Sequence, residues 1–363
     1  MKICVYAIAK NESKFIDRWF ESAKEADYIC VLDTGSTDDT FKKLKSLNII
    51  TTQKKYDFFR FDIARNDSMD LIPDDTDICV CVDLDEFFVP GWSKILKQHW
   101  KENTMRARYR YTWNFNPDGS EGIVFMADKM HANKKFKWIH PVHEILSPIE
   151  NTVYETIDLP QIHLLHKADD TKSRKSYLPL LELSVKESPM DDRNMHYLGR
   201  EYMFYGQYDK AIETLNRHLS LPTSRWDIER SASLRYIANC YKMKNDKINQ
   251  EKYLILAILE ANKTREPYFD LALFYYEQGD YLKSAFVFNE MLKIHDRYLN
   301  YMSSPVCWSD APYDYLSLCY YFIGDYTKAI DTVNIAIKLN PDQRLKNNLS
   351  IFQSMYNKKD LDK

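Results

Sequence analysis

Apolar positions in the first third of the chain follow two rhythms. Ile3-Cys4-Val5-Tyr6-Ala7-Ile8, residues 28–32 and Ile78-Cys79-Val80-Cys81-Val82 are short, nearly continuous apolar runs, as expected of strands covered on both faces. Between the first two, helical spacing takes over: Phe15, Ile16, Trp19, Phe20 and Ala23 share one face, with Lys14, Asp17, Arg18 and Glu21 mostly off it. Ser36-Thr37-Asp38-Asp39 reads as a capping box opening a helix that buries Phe41, Leu44 and Leu47. A third strand is expected over 49–52 and helices over 61–67 and 92–100, with a turn at 87–91. Strands and helices alternating through short connections predict a parallel sheet with helices on both faces. Residues 106–113 and 122–126 alternate as further strands around a polar turn at 114–119, which makes the sheet mixed.

From about residue 177 the pattern is helical throughout, and it repeats. Leu198-Gly199, Tyr202, Gly206, Tyr208 and Ala211 return as Leu271-Ala272, Tyr275, Gly279 and Tyr281, and again as Leu316, Tyr320, Gly324, Tyr326 and Ala329. A weaker copy runs through Ile237-Ala238, Tyr241, Leu254 and Ala257, with Asn245 in place of the turn glycine. These are tetratricopeptide positions. The expected architecture is an α/β domain over residues 1–170 followed by an all-α, TPR-like domain over 171–363. Such stacks commonly offer a concave surface, which suits acceptor binding or homodimerisation.

Composition narrows the class. A chain of 363 residues exceeds what one core usually supports, and its formal charge of -3 argues against nucleic acid as main partner. Seven cysteines without a C-x-x-C pair are the usage of a reducing compartment. With no signal-peptide pattern at the start and no apolar run long enough for a bilayer, a cytoplasmic location is expected.

Candidate chemistry gathers where the run at 78–82 stops in Asp83-Leu84-Asp85-Glu86. Alternate residues of an extended chain face one side, so Asp83 and Asp85 can project together into a crevice beyond the strand's carboxyl end. Two aligned carboxylates suit a hard divalent cation shared with phosphate oxygens, and a solvated acidic loop is the alternative. Asp33 ends the second strand along the same edge, where it either accepts hydrogen bonds from a base or ribose or closes a turn before a helix. Asn11 and Glu12 after the first strand pose the same choice, and Arg65 is either a structural ion-pair partner or a diphosphate ligand. His131, His140, His143, His163 and His166 fit no common zinc spacing, and core or interface packing is the alternative for His140 and His143.

The segments Ala9-Lys10-Asn11-Glu12, Val31-Leu32-Asp33-Thr34-Gly35-Ser36-Thr37-Asp38-Asp39-Thr40, Ala64-Arg65-Asn66 and Val82-Asp83-Leu84-Asp85-Glu86 occur in the order found in family 2 glycosyltransferases of the GT-A fold, which this part of the chain resembles. The resemblance implies a Rossmann-like mixed sheet, a UDP-sugar donor and a divalent metal, manganese or magnesium. By position it implies that Ala7, Asn11, Glu12 and Asp33 line the nucleoside pocket, that Arg65 lies near the nucleotide, that Asp83 contacts ribose or metal, and that Asp85 binds the metal. Thr34 stands where many members carry a second Asp. Trp138-Ile139-His140-Pro141-Val142-His143-Glu144 and Leu164-Leu165-His166 resemble a narrower group with helical repeats, the bacteriocin S-glycosyltransferases and enzymes that modify bacterial flagellin. That likeness implies Glu144 as base, His166 or His143 as third metal ligand and Lys129 near the diphosphate. The implied activity is inverting transfer, with N-acetylglucosamine to Ser or Thr of flagellin as the leading choice and a thiol acceptor open. A glycan- or cell-wall-building transferase and a catalytically silent repeat scaffold are the alternatives.

Overall fold

The computed structural model describes residues 1–150, 153–168 and 177–361. The chain divides into two compact units, Met1–Glu187 together with Leu299–Tyr301, and the remainder from Ser188 onward. The boundary expected between residues 170 and 171 lies outside the described residues.

The first unit opens as the periodicity predicts: β1 (Ile3–Ala9), α1 (Ile16–Ala23), β2 (Tyr28–Asp33), α2 (Thr40–Ser46), β3 (Ile50–Gln53), α3 (Phe61–Met69) and β4 (Ile78–Cys81). There follow β5 (Glu86–Phe88), α4 (Trp92–His99), β6 (Thr104–Thr112), β7 (Val124–Ala132), β8 (Phe136–Ile139), β9 (Ile145–Pro148), β10 (Glu155–His166) and α5 (Tyr177–Glu187). Among the described residues, eight strands form one sheet in the order β3-β2-β1-β4-β7-β6-β10-β5, and β8 pairs with β9 alone. β1 pairs in parallel with β2 and β4, and β6 with β10, while β7 runs antiparallel between β4 and β6. The carboxyl ends of β1, β2, β4, β6 and β10 therefore share one edge of the sheet.

Two expectations are corrected. The helix after β2 begins at Thr40 rather than at Ser36, because Asp38 accepts from the Thr40 and Ser13 amides and so serves the neighbouring loop. Within 87–91, Phe87 and Phe88 belong to a strand, because β10 offers an open edge on which Leu165 pairs with Phe87.

The continuous apolar strands split their side chains between two cores, as a period of two requires. Ile3, Val5, Ala7 and Ala9 join Val31, Val80, Trp19 and Trp92 on one face. Cys4, Tyr6, Cys30, Cys79 and Cys81 join Phe136, Trp138 and Leu146 on the other. Full burial of each large side chain contributes roughly 1.5–3 kcal/mol. The indole nitrogens of Trp19 and Trp92 donate to Val82 and Ser22 carbonyls at 3.1 and 2.9 Å, so neither burial leaves an orphan donor.

The second unit stacks helical hairpins in TPR-like fashion: α6 (Asp192–Phe204) with α7 (Tyr208–Ser220), α8 (Asp227–Met243) with α9 (Lys247–Glu260), α10 (Glu266–Glu277) with α11 (Tyr281–Leu292), and α12 (Ala311–Ile323) with α13 (Tyr326–Leu339), closed by α14 (Gln343–Leu361). The chain turns within these pairs at Gly206, Asn245, Gly279 and Gly324, all at positive φ, and Asn245 at 56° takes the left-handed conformation in the place of glycine. Gly199 lets α6 approach α7, since a Cβ there would lie 2.5 Å from Leu215 Cγ. No helix among the described residues is long and apolar enough to cross a membrane.

His131 sets a pH dependence. Its ring is buried, with Tyr6 Oη 2.8 Å from Nε2 and the Ala132 carbonyl 3.1 Å from Nδ1, while Trp138 Nε1 donates to Tyr6 Oη. The chain of donors runs Trp138 to Tyr6 to His131 to Ala132 and needs a neutral imidazole. Burial accordingly pushes the His131 pKa down to about 4. Below the unfolded value of about 6.5 only the unfolded chain gains this proton, so stability is full above that pH and falls as pH drops toward 4. The expected loss is about 3 kcal/mol, read by chemical denaturation of the first unit across pH 7 to 4. His131→Leu should flatten the slope in that window.

Candidate active site

The site grows from the end of β4. Glu86 closes the turn after that strand, its Oε2 accepting from the Asp83 amide at 3.0 Å while the Glu86 amide donates to the Asp83 carbonyl at 2.9 Å. Tyr111 Oη and Lys129 Nζ meet the other oxygen of Glu86 at 2.8 and 3.3 Å. Glu86 is thus a buried brace, 2 % exposed, that shapes the loop. Burial raises its pKa, with Asp83 and Asp85 adding to the shift against Lys129.

Asp83 faces cations. Arg65 grips both its oxygens, at 2.8 and 3.2 Å, and Lys129 Nζ reaches Oδ2 at 3.1 Å. Burial alone would raise the Asp83 pKa, but the two cations outweigh it and hold the carboxyl well below its ordinary range. Arg65 also donates through Nε to Glu144 at 2.5 Å and lies over the Trp138 ring, 5.0 Å from its centroid. Burial works against the Arg65 charge, and Asp83, Cys81 and Glu144 keep it far above its usual value.

Asp85 meets a different partner. His166, at the end of β10, brings Nε2 to 3.3 Å from Asp85 Oδ2 while Nδ1 donates to the Trp113 carbonyl at 2.8 Å. Burial disfavours the charged ring, yet the contact with Asp85 raises its pKa. The Trp113 ring packs on His166, with centroids 4.7 Å apart. A carbonyl holding Nδ1–H fixes the tautomer whose Nε2 lone pair is free for a cation. Two ligands of one cation at about 2.0–2.2 Å stand about 3.0–3.5 Å from one another, so the Asp85–His166 pair fits a divalent metal. Arg65 and Lys129 pair with Asp83, Glu86 and Glu144, whereas Asp85 meets His166 through its carboxylate and the Arg18 guanidinium through its carbonyl, at 3.3 Å.

At the end of β2, Asp33 is fully buried. Oδ1 accepts from the Gly35 and Ser36 amides, both at 2.9 Å, and from Gln53 Nε2 at 2.8 Å, whereas Oδ2 is buried without a partner. An orphaned carboxylate oxygen on the ligand-binding edge is a ready acceptor for a nucleoside N–H or O–H. Asn11, at a φ of 57°, staples the adjoining loops, its Oδ1 accepting from the Thr37 amide and its own amide donating to Ser36 Oγ. The Glu12 amide donates to Thr40 Oγ1 at 2.7 Å. Thr34 Oγ1 donates to the Ala9 carbonyl, so this departure from the family pattern serves the backbone.

The structure brings Arg65, Asp83, Lys129 and Glu144 into one network and Asp85 and His166 into contact. The other expected residues lie as follows. Ala7 is buried in the apolar core, and Ala9 is the residue in register with Asp33 at the edge. His143 packs against Tyr177 at 5.8 Å. Glu144 is engaged by Arg65. Among the described residues, the five histidines named from the sequence converge on no three-ligand group. Sequence reasoning missed Gln53, Tyr111 and Trp113; Gln53 was within reach, since it ends β3 in register with Asp33.

Residues 4–154 match the family described as Glycosyl transferase family 2. No curated protein matches the chain. Solved structures match about half of it. A MamA protein is 18% identical, with 46% of this chain and 82% of that one covered at a TM-score of 0.37. YrrB, described as a TPR protein with an unusual peptide-binding site, is 13% identical over 47% of this chain and 80% of its own, TM-score 0.36. TTC0263, a thermophilic TPR protein of Thermus thermophilus, is 17% identical over 50% and 90%, TM-score 0.32.

The Arg65 network predicts a stability effect. Arg65→Ala leaves the mostly buried Glu144 without its cation and Asp83 with Lys129 alone, and urea unfolding should show a loss of about 3–5 kcal/mol. A loss below about 1 kcal/mol would contradict this account of the network.

Proposed function

We propose that this chain, an enzyme whose residues 4–154 are a glycosyltransferase family 2 domain, moves a sugar from a UDP-linked donor to a protein hydroxyl with a divalent metal held by Asp85 and His166. The observation that carries the reading is the Asp85 Oδ2–His166 Nε2 pair at 3.3 Å, on the same sheet edge as the unpartnered Asp33 Oδ2. In this reading Asp33 accepts from the nucleoside, Asn11 and Glu12 hold the loops beside it, and Arg65 and Lys129 stand where a diphosphate would share them with Asp83. A bound Mn2+ or Mg2+ supplies charge neutralisation that improves the diphosphate as leaving group. The acceptor oxygen forms its bond to the anomeric carbon from the face opposite the departing phosphate oxygen, with inversion, and gives its proton to a carboxylate.

Glu144 is the candidate for that proton, and its bond to Arg65 sets the condition. The donor's phosphates must draw Arg65 away before the carboxylate can act. N-acetylglucosamine as the sugar and Ser or Thr of a flagellin-like protein as acceptor rest on the resemblance to flagellin-modifying enzymes, and the helical hairpins suit polypeptide binding. The cysteines, all free and buried among the described residues, agree with work in a reducing compartment.

Release of UDP from UDP-N-acetylglucosamine by the purified chain is the test. Chelation should abolish release and added Mn2+ or Mg2+ should restore it, with Asp85→Asn and His166→Gln shifting the metal requirement to higher concentration. Release unaffected by chelation would remove the metal reading. For Glu144→Gln, a fall in turnover of about 10²–10⁴ at unchanged donor KM assigns the base. Retained turnover with a raised donor KM assigns Glu144 to holding Arg65 instead. Mass spectrometry of coexpressed flagellin reads the acceptor.

A further inference from the structure

The helical-repeat unit buries three ligand-type side chains: His196 on α6, His218 on α7 and Glu229 on α8, exposed 0 %, 0 % and 3 %. One ligand atom from each lies within 4.8 Å of the other two. Three consecutive helices thus deliver them to a single point. Interiors rarely hold such groups unless something charged or hydrogen-bonding organises them.

The details suit a metal. His218 Nε2 stands 3.4 Å from Glu229 Oε1. Nitrogen and oxygen ligands about 2.0–2.1 Å from a tetrahedral ion are about 3.3–3.4 Å apart. His218 Nδ1 lies 2.9 Å from Ser233 Oγ. If Nδ1–H donates to that hydroxyl, Nε2 keeps its lone pair directed toward Glu229, which is how outer hydrogen bonds orient a metal-binding imidazole. The same hydroxyl is 2.7 Å from His196 Nδ1, so one serine steadies both rings, whose centroids are 5.4 Å apart. Ser224 Oγ, 3.0 Å from His218 Nε2, borders the remaining position.

We propose that His196, His218 and Glu229 bind a structural Zn2+ that ties α6, α7 and α8 together at the start of the repeat stack. Two imidazoles and one carboxylate favour zinc over the hard, oxygen-seeking Mg2+ or Mn2+ assigned to the catalytic edge. The site is separate in sequence and chemistry from Asp85 and His166, and it stands whether or not the transferase reading does.

The test uses the full chain carrying Asp85→Ala and His166→Ala, so that retained metal cannot come from the other pair. After loading with Zn2+ and gel filtration, elemental analysis should find about one zinc per chain, and Co2+ in its place should give the visible absorption of a tetrahedral site. In the same background His196→Gln and His218→Gln, which keep hydrogen-bonding capacity, should each weaken zinc binding at least tenfold. A folded parent that retains no zinc after loading overturns the proposal, whatever the variants do, and leaves the three side chains as a buried polar cluster. Zinc retained at full stoichiometry and affinity in both histidine variants overturns it equally.

Discussion

Arg65 is the constraint on which the catalytic unit depends. Its side chain is only 6% exposed, and a guanidinium removed from water must be repaid by carboxylates in fixed geometry. Asp83 supplies both oxygens and Glu144 a third contact, while Trp138 covers the guanidinium face. One side chain on α3 therefore binds the loop after β4 to the segment after β8. An arginine is required because a lysine ammonium cannot present the planar fork that meets Asp83 with two nitrogens and Glu144 with the third.

That commitment divides the labour among the acids. Asp83 answers to Arg65 and Lys129, and Glu86 is absorbed in shaping the turn, so the two acids of the D-x-D pattern stand in different surroundings. Asp85 pairs with neither Arg65 nor Lys129, and the residue that meets its carboxylate comes from β10, far along the chain. A parallel arrangement makes this possible. Because β1, β2, β4, β6 and β10 all end on the same edge, residues widely separated in sequence arrive together without a specialised loop.

What the sequence disclosed follows from this geometry. Strand ends are legible: Asp33, Asp83 and Asp85 follow apolar runs of the right length, and the alternation of strand and helix places those runs side by side. The repeat turns were equally open, since Asn tolerates positive φ better than most residues and Asn245 occupies the glycine position. Pairings set by distant chain segments were hidden. Nothing local to Glu144 announces Arg65, and nothing local to Phe87 and Phe88 announces the open edge of β10 that draws them into a strand. Strand alternation puts the Ala7 side chain in the same core as that of Ala9, the residue level with Asp33.

The two units handle buried polarity differently. At the carboxyl ends of β2 and β4, charges are concentrated, and Asp33 Oδ2 is unpartnered. Such an arrangement is costly in isolation, and a ligand that brings hydrogen-bond donors relieves it. In the hairpins, polar groups serve the backbone: Asp246, Asp280 and Asp325 each accept from the amide three residues on and so open α9, α11 and α13. In the first hairpin the cap sits on α6, where Asp191 accepts from the Asn194 amide, while His196, His218, Ser233 and Glu229 are sunk between its helices and the next. Each hairpin thus carries one side-chain cap, and what sets the first apart is the polarity it buries between helices, which must be satisfied there by side-chain partners.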